Sequence, residues 1–202
     1  MTAESASPGS RGASPKGIAR RQEILDRAIE VFAQRGSDRT SLRAIASEVG
    51  VTHAALRHYF GSLEELLVEV YRASQRHDAE TLPPETTPAE MMRYSAERNR
   101  EIPGLVQLYS TLVAAALEDD RPVARAFVSA RFESLREGLA ARVRENQAAG
   151  RMRDDVDPDE VAALVIAASD GLQSQWLLDP DLDHARILGL LDRLLSARKD
   201  PS

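Results

Sequence analysis

The chain of 202 residues predicts an all-α protein, and three observations carry that prediction. Aromatic residues make up 4% of it while alanine, leucine and arginine abound, so the core must be aliphatic. Strand-favouring runs are absent, and apolar residues instead recur at i, i+3, i+4 and i+7, the spacing of one helical face. Glycine, proline and small oxygen-bearing residues stand between these segments, where helices start and stop. A chain of this length can bury a substantial core, in one domain or two small ones.

Residues 1–19 are rich in Ser, Ala, Pro and Gly and read as a flexible tail, made basic toward its end by Arg11, Lys16 and the adjoining Arg20 and Arg21. A first helix is expected over 20–34, with Ile24, Leu25, Ala28, Val31 and Phe32 on one face and Gly36 as its stop. Residues 40–62 then read as helix, tight turn, helix. Thr40 or Ser41 supplies the first N-cap oxygen; Leu42, Ile45, Ala46 and Val49 form the stripe; Gly50 turns the chain in a left-handed conformation. Thr52 caps the second helix, whose Leu56 and Phe60 point into the same small core. Ala54, Arg57 and His58 project to the opposite side, with His53 on the flank. This small, basic, polar face fits a helix entering a DNA major groove, and it fits equally an ordinary helical hairpin with a solvated side.

Ser62-Leu63-Glu64-Glu65 is a capping box in which the serine oxygen serves the Glu65 amide and the glutamate reaches back. Leu63, Leu66, Leu67, Val70 and Tyr71 follow as the stripe of a fourth helix, a lever leading away from the helical pair. The Pro/Thr stretch 81–88 divides a unit at 20–80 from a second at 81–202. Helices are expected there over 88–101, over 105–118 after the interrupting Pro103-Gly104, and over 121–149 between Pro122 and Gly150. Two more are expected over 158–178, behind the Asp157-Pro158 start signal, and over 183–197. Residues 161–168 are apolar nearly all round and call for burial on several sides, so 121–149 and 158–178 are the expected dimer helices, forming a four-helix bundle with their symmetry mates.

Net charge is −6, but it is unevenly spread. Residues 1–61 hold nine Lys/Arg and six Asp/Glu, a balance of +3, which leaves 17 and 26, a balance of −9, for 62–202. A basic end on an acidic body suits a phosphate-bearing partner, because binding depends on local charge. The absence of cysteine excludes disulfides, thiolate metal sites and cysteine nucleophiles, and a reducing cytoplasm is the expected home. The longest apolar run, 161–168, is too short to span a bilayer, so no membrane association is expected.

Gln22-Glu23-Ile24-Leu25, Val31-Phe32-Ala33-Gln34-Arg35-Gly36, Ile45-Ala46-Ser47-Glu48-Val49-Gly50-Val51 and His58-Tyr59-Phe60-Gly61-Ser62 resemble the N-terminal domain of TetR-family transcriptional regulators. The resemblance implies an N-terminal three-helix helix-turn-helix DNA-binding domain followed by a C-terminal helical bundle for ligand binding and dimerisation. It further implies a homodimer that reads double-stranded, pseudo-palindromic operator DNA as a repressor, released by a small-molecule effector. The DNA-facing residues implied are Thr40, Ser41, Arg43, Thr52, His53, Ala54, Arg57, His58 and Tyr59. In this family the basic arm ahead of the first helix can lie along the minor groove. Two positions depart from the family pattern: Arg57 stands where an aromatic is usual and Leu63 where a lysine is usual. They keep open a competing reading, a helical ligand-binding or interaction module with a vestigial helix-turn-helix. Residues 170–180, from Asp170-Gly171-Leu172 to Leu178-Asp179-Pro180, resemble a phrase of BetI-like C-terminal domains, without implying a choline ligand.

Tyr94, Gln107, Tyr109, Arg131, Phe132, Gln173 and Trp176 are the large or polar side chains of the second unit that could orient an effector. Each also has an ordinary reading as core or surface. The four histidines, at 53, 58, 77 and 184, lack the spacing of paired metal ligands on one helical face, and no catalytic motif is present. Neither an enzyme activity nor a cofactor is therefore expected.

Overall fold

The computed structural model describes residues 15–35, 42–76 and 82–197. Among the described residues there are nine helices: α1 (Pro15–Arg35), α2 (Leu42–Val49), α3 (His53–Phe60), α4 (Leu63–Arg76), α5 (Pro88–Asn99), α6 (Pro103–Ala116), α7 (Pro122–Ala148), α8 (Pro158–Leu178) and α9 (His184–Leu195). The all-α expectation holds. Residues 1–14 of the expected tail, the Gly36 stop, and the Thr40 and Ser41 cap lie outside the described residues, as does the side chain of Arg43.

Two helix starts differ from expectation, both at prolines. Residues 15–19, expected as tail, are the first turn of α1, and Pro103-Gly104, expected as an interruption, opens α6. Proline has no amide hydrogen to lose and a φ already suited to helix, so the first turn accepts it.

A small head forms where α1, α2 and α3 turn Ile24, Leu25, Phe32, Ile45, Val49, Leu56 and Phe60 into one core. Complete burial of an aliphatic side chain such as Leu56 contributes about 1.5–3 kcal/mol. The same apolar cluster continues without a break through Leu66, Val70 and Tyr71 of α4 into Leu105, Leu108 and Leu112 of α6 and Phe127 of α7. The apolar core thus does not break where residues 82–88 separate α4 from α5 along the chain.

That proline-rich segment is held by α7. The Arg142 guanidinium donates to the carbonyls of Pro83 (2.6 Å) and Pro84 (3.1 Å), and buried Asn146 accepts from Arg151 (2.7 Å). Thr87 and Glu90 then form a complete capping box that starts α5. Asp157 caps α8 as expected, accepting from the amides of Asp159 (2.9 Å) and Glu160 (3.0 Å).

A second apolar cluster joins Leu139, Ala140 and Val143 of α7 to Val161, Ala162, Val165 and Ile166 of α8. Residues 161–168 are not enclosed on all sides within one chain, however: Ala163, Leu164 and Ala167 face outward. The run belongs to a 21-residue helix that is long and apolar enough by composition to cross a bilayer. It packs against α7 and α9 along one side and is open along the other.

Candidate functional site

The turn between α2 and α3 is built from backbone bonds that its sequence encodes locally. Gly50, at φ 72°, sends its amide to the Ser47 carbonyl (3.3 Å), and the Val51 amide reaches the Ala46 carbonyl (2.8 Å), closing the end of α2. The Thr52 hydroxyl accepts from the Ala55 amide at 3.1 Å and starts α3. At the other end Gly61 (φ 68°, ψ −61°) bonds the Arg57 carbonyl at 2.9 Å and centres a tight turn, closed by the Ser62 amide on the Phe60 carbonyl at 2.7 Å. Ser62 caps α4 through the Glu65 amide (3.1 Å). Its own amide is committed to Phe60, while the Glu65 carboxylate lies back over Gly61, so the expected box is realised on the serine side.

With Leu56 and Phe60 buried, α3 turns Ala54, Arg57 and His58 to solvent, with Thr52 exposed ahead of them and His53 half-buried on the flank. Tyr59 is half-buried against the head core, and its ring meets that of His58 edge-on at 5.3 Å. A shallow groove beside Tyr59 is lined by Lys16, Arg20 and Glu23 of α1, which brings the basic start of α1 next to the α3 face. Such a surface offers cations for phosphates and a narrow helix for a groove.

The head is tied to the helices behind it by groups whose pairing crosses long stretches of chain. The Arg21 guanidinium sits over the Phe60 ring (4.8 Å) and donates to Glu69 of α4 at 3.0 Å. Arg72 donates to the same carboxylate at 3.2 Å and lies over Phe127 of α7 at 5.2 Å. Partial burial pushes the Glu69 carboxyl up, but the hydrogen bonds and charges of Arg21 and Arg72 together outweigh it and hold the group below its ordinary value. Glu64, near the start of α4, accepts the Ala124 amide at 2.8 Å and thereby caps α7, whose own N-cap residue Arg121 makes no side-chain cap.

Of the seven expected effector-orienting side chains, Tyr109, Arg131 and Gln173 come together deep in the body. Tyr71 of α4 stacks on Tyr109 of α6 with ring centres 5.1 Å apart, and the Arg131 guanidinium lies 5.1 Å from each ring. Tyr109 donates to Asp170 at 3.4 Å, and Asn99 donates to Gln173 at 2.8 Å. A cavity of about 10 Å³, no more than one water can fill, lies among Tyr71, Asn99, Tyr109 and Gln173. Burial pushes both tyrosine hydroxyls and the Asp170 carboxyl above their ordinary values, with the Arg131 charge opposing it in each case.

Tyr94, Gln107, Phe132 and Trp176 do not line that cavity. Tyr94 carries Arg98 over its ring, Phe132 packs between the two main apolar clusters, Trp176 meets His184 in a tilted ring contact at 5.1 Å, and Gln107 is half-buried in α6. Tyr71, Asn99 and Asp170 were not foreseen. Tyr71 carries a helical-stripe signal that marks it only as core, and nothing local in the sequence joins five helices around Arg131.

Residues 24–70 match the family of bacterial regulatory proteins described as tetR family, and residues 90–198 match the BetI-type transcriptional repressor C-terminal family. The HTH-type transcriptional repressor AcnR of Corynebacterium efficiens is 32% identical over 152 residues, covering 75% of this chain and 78% of that protein. An HTH-type transcriptional repressor of Mycobacterium tuberculosis is 27% identical over 189 residues, covering 86% of this chain and 90% of its own. Among solved structures, a transcriptional regulator from Saccharomonospora viridis in complex with choline shares the fold, with a TM-score of 0.66, 22% identity, and coverage of 90% of this chain and all of that one. The chain belongs to the tetR family of helix-turn-helix transcriptional repressors, with a BetI-type C-terminal half. Its named relatives are regulators rather than enzymes.

Proposed function

We propose that this repressor reads a pseudo-palindromic operator in the cytoplasm, with α3 in the major groove, and that a small molecule bound in the body releases it. The observation that carries the reading is the solvent-facing α3 surface of Ala54, Arg57 and His58, anchored from behind by buried Leu56 and Phe60. Arg57 addresses a base edge, Thr52 and His53 sit at the groove-entering end, and Tyr59 meets the backbone beside Lys16 and Arg20. Thr40, Ser41 and Arg43 are assigned to the same proposed surface from the sequence alone, through the family resemblance. In functional terms 20–80 is the reading unit and 81–202 the sensing and dimerising unit, neither in contact with a membrane.

Footprinting on the promoter next to the protein's own gene tests this, with sequence-selective, salt-sensitive protection expected. The absence of any such protection sinks the reading. Arg57→Ala should weaken operator binding by about 1–3 kcal/mol while leaving random DNA nearly unaffected. An equal loss on both would make Arg57 a phosphate contact.

The proposed dimer keeps α8 from the expected pair of α7 and α8, and the exposed apolar surface favours α9 in place of α7. Leu164 (54% exposed) and Leu178 (89%) of α8 share one stripe with Ala167 and Gly171. Leu190 (46%) and Leu194 (61%) lie on the flank of α9 turned away from α5. The outward side of α7 carries Glu133, Arg136, Glu137, Arg144 and Glu145 instead. Two such helices and their symmetry mates form a four-helix bundle that holds the two α3 helices about 34–36 Å apart, one DNA turn. Sedimentation should give a dimer, and Leu164→Glu with Leu194→Glu should give a monomer; a dimer surviving both substitutions moves the interface elsewhere.

A further inference from the structure

We propose that the Arg131 cluster receives the carboxylate of an amphipathic organic acid, and that this acid parts Tyr71 from Tyr109. The inference rests on the reading of this chain as an effector-responsive regulator and specifies the chemistry of the effector. The guanidinium lies against the stacked pair, 5.1 Å from the centre of each ring, so its charge is partly met by their π systems. Its N–H groups are not equally served. The Arg131 Nε is closed off from solvent and has no hydrogen-bond partner. Among the described residues no carboxylate lies within ion-pair distance of Arg131, and the nearby Asp170 is held by the Tyr109 hydroxyl instead. A buried guanidinium donor left without an acceptor costs free energy that a planar carboxylate recovers, since its two oxygens match the guanidinium fork.

The same geometry disfavours a cationic effector. Arg131 already occupies the place beside the two rings that an ammonium group would seek, and a second positive charge there would be repelled. Leu105 and Val106 line the adjoining cavity and supply an apolar wall for a hydrocarbon portion. The cavity, about 10 Å³, cannot admit an organic acid as it stands, so entry must open the Tyr71–Tyr109 stack. Tyr71 belongs to α4, the helix whose Glu69 holds the head and whose Glu64 caps α7. An acid that binds only the opened stack therefore favours a displaced α4 to the extent of its differential affinity.

The test uses the full-length protein, its thermal midpoint and its operator affinity by fluorescence anisotropy. The probes are hexanoate, benzoate and 3-phenylpropanoate, each beside its neutral carboxamide, with hexyltrimethylammonium as the cation. At least one carboxylate is expected to raise the midpoint and weaken operator binding, with its carboxamide and the cation doing neither. Arg131→Gln should weaken that carboxylate by about tenfold or more, and Arg131→Lys by less. Should Arg131→Gln fail to fold, Asp170→Asn serves, because removing the competing negative charge should tighten carboxylate binding. The inference is overturned if the cation or a carboxamide matches its carboxylate, if Arg131→Gln responds like wild type, or if every probe is silent while operator binding is intact. Lack of operator binding by the unliganded protein is the separate failure of the regulator reading.

Discussion

The outward face of α3 and the Arg131 cluster, the two surfaces to which the proposed regulation is assigned, are built by opposite means. Gly50, Thr52, Leu56, Phe60 and Gly61 lie within twelve residues of one another and shape α3 through neighbouring amides and carbonyls. The cluster draws Tyr71, Asn99, Tyr109, Arg131 and Asp170 from five helices and exists only when these have packed. Errors in the first act on one helix; errors in the second propagate to every helix that meets there. The second arrangement also leaves one donor, the Arg131 Nε, without a partner, which is what the proposed acid would use.

The largest effect is expected from Tyr71→Ala, which removes the ring shared by Tyr109, Phe127 and Arg131 and should cost about 3–5 kcal/mol in urea unfolding. A loss below that of an ordinary surface change would mean the cluster does not hold the helices together. Leu56→Ala should cost about 2–5 kcal/mol, while exposed Arg57→Ala next to it stays within about 0.5 kcal/mol. Equal losses for the two would erase the inward and outward sides of α3.

Gly61→Ala should cost about 1–3 kcal/mol, because a side chain is forced to φ 68° while the Glu65 carboxylate, 2.7 Å from the added carbon, can swing aside. Glu65→Ala in the same background separates the two causes: the cost should persist without that carboxylate. Thr52→Ala should remove about 1 kcal/mol, measurable as earlier loss of amide protection in α3 than in α4.

The smallest effect is pH-dependent. Glu69 has its carboxyl held below the ordinary value, so its stabilisation is present above the unfolded pKa and is lost as pH falls through the folded one. Wild type should therefore exceed Glu69→Gln in thermal midpoint near neutrality and converge with it in acid. An advantage that survives acidification would assign Glu69 to packing rather than charge.

Much of the local structure, the α3 face included, was legible in the amino-acid order because its cues act over one to five residues. Thr52, Gly50 and Asp157 sit where caps and stops require them, and Leu56 and Phe60 keep the helical period. The start of α1 at Pro15 and of α6 at Pro103 escaped the reading, since proline marks both a helix start and a break. Glu64 was legible as an acidic residue at the start of α4, but its partner is the Ala124 amide, sixty positions away. Arg131 stood out as a large polar residue, whereas Tyr71 looked like core and proved to be both core and ring partner.

By itself the sequence determined the helices, most of their ends and the two sides of α3, because hydrogen bonds to neighbouring backbone and a period of 3.6 residues need no distant partner. Tertiary structure decided which outward residues stay apolar on α8 and α9, how α4 is tied to both head and body, and that Arg131 ends against two stacked tyrosines with an unserved donor. Those outcomes depend on how side chains from distant helices fill one shared volume, and periodicity along a single helix carries no information about its neighbours.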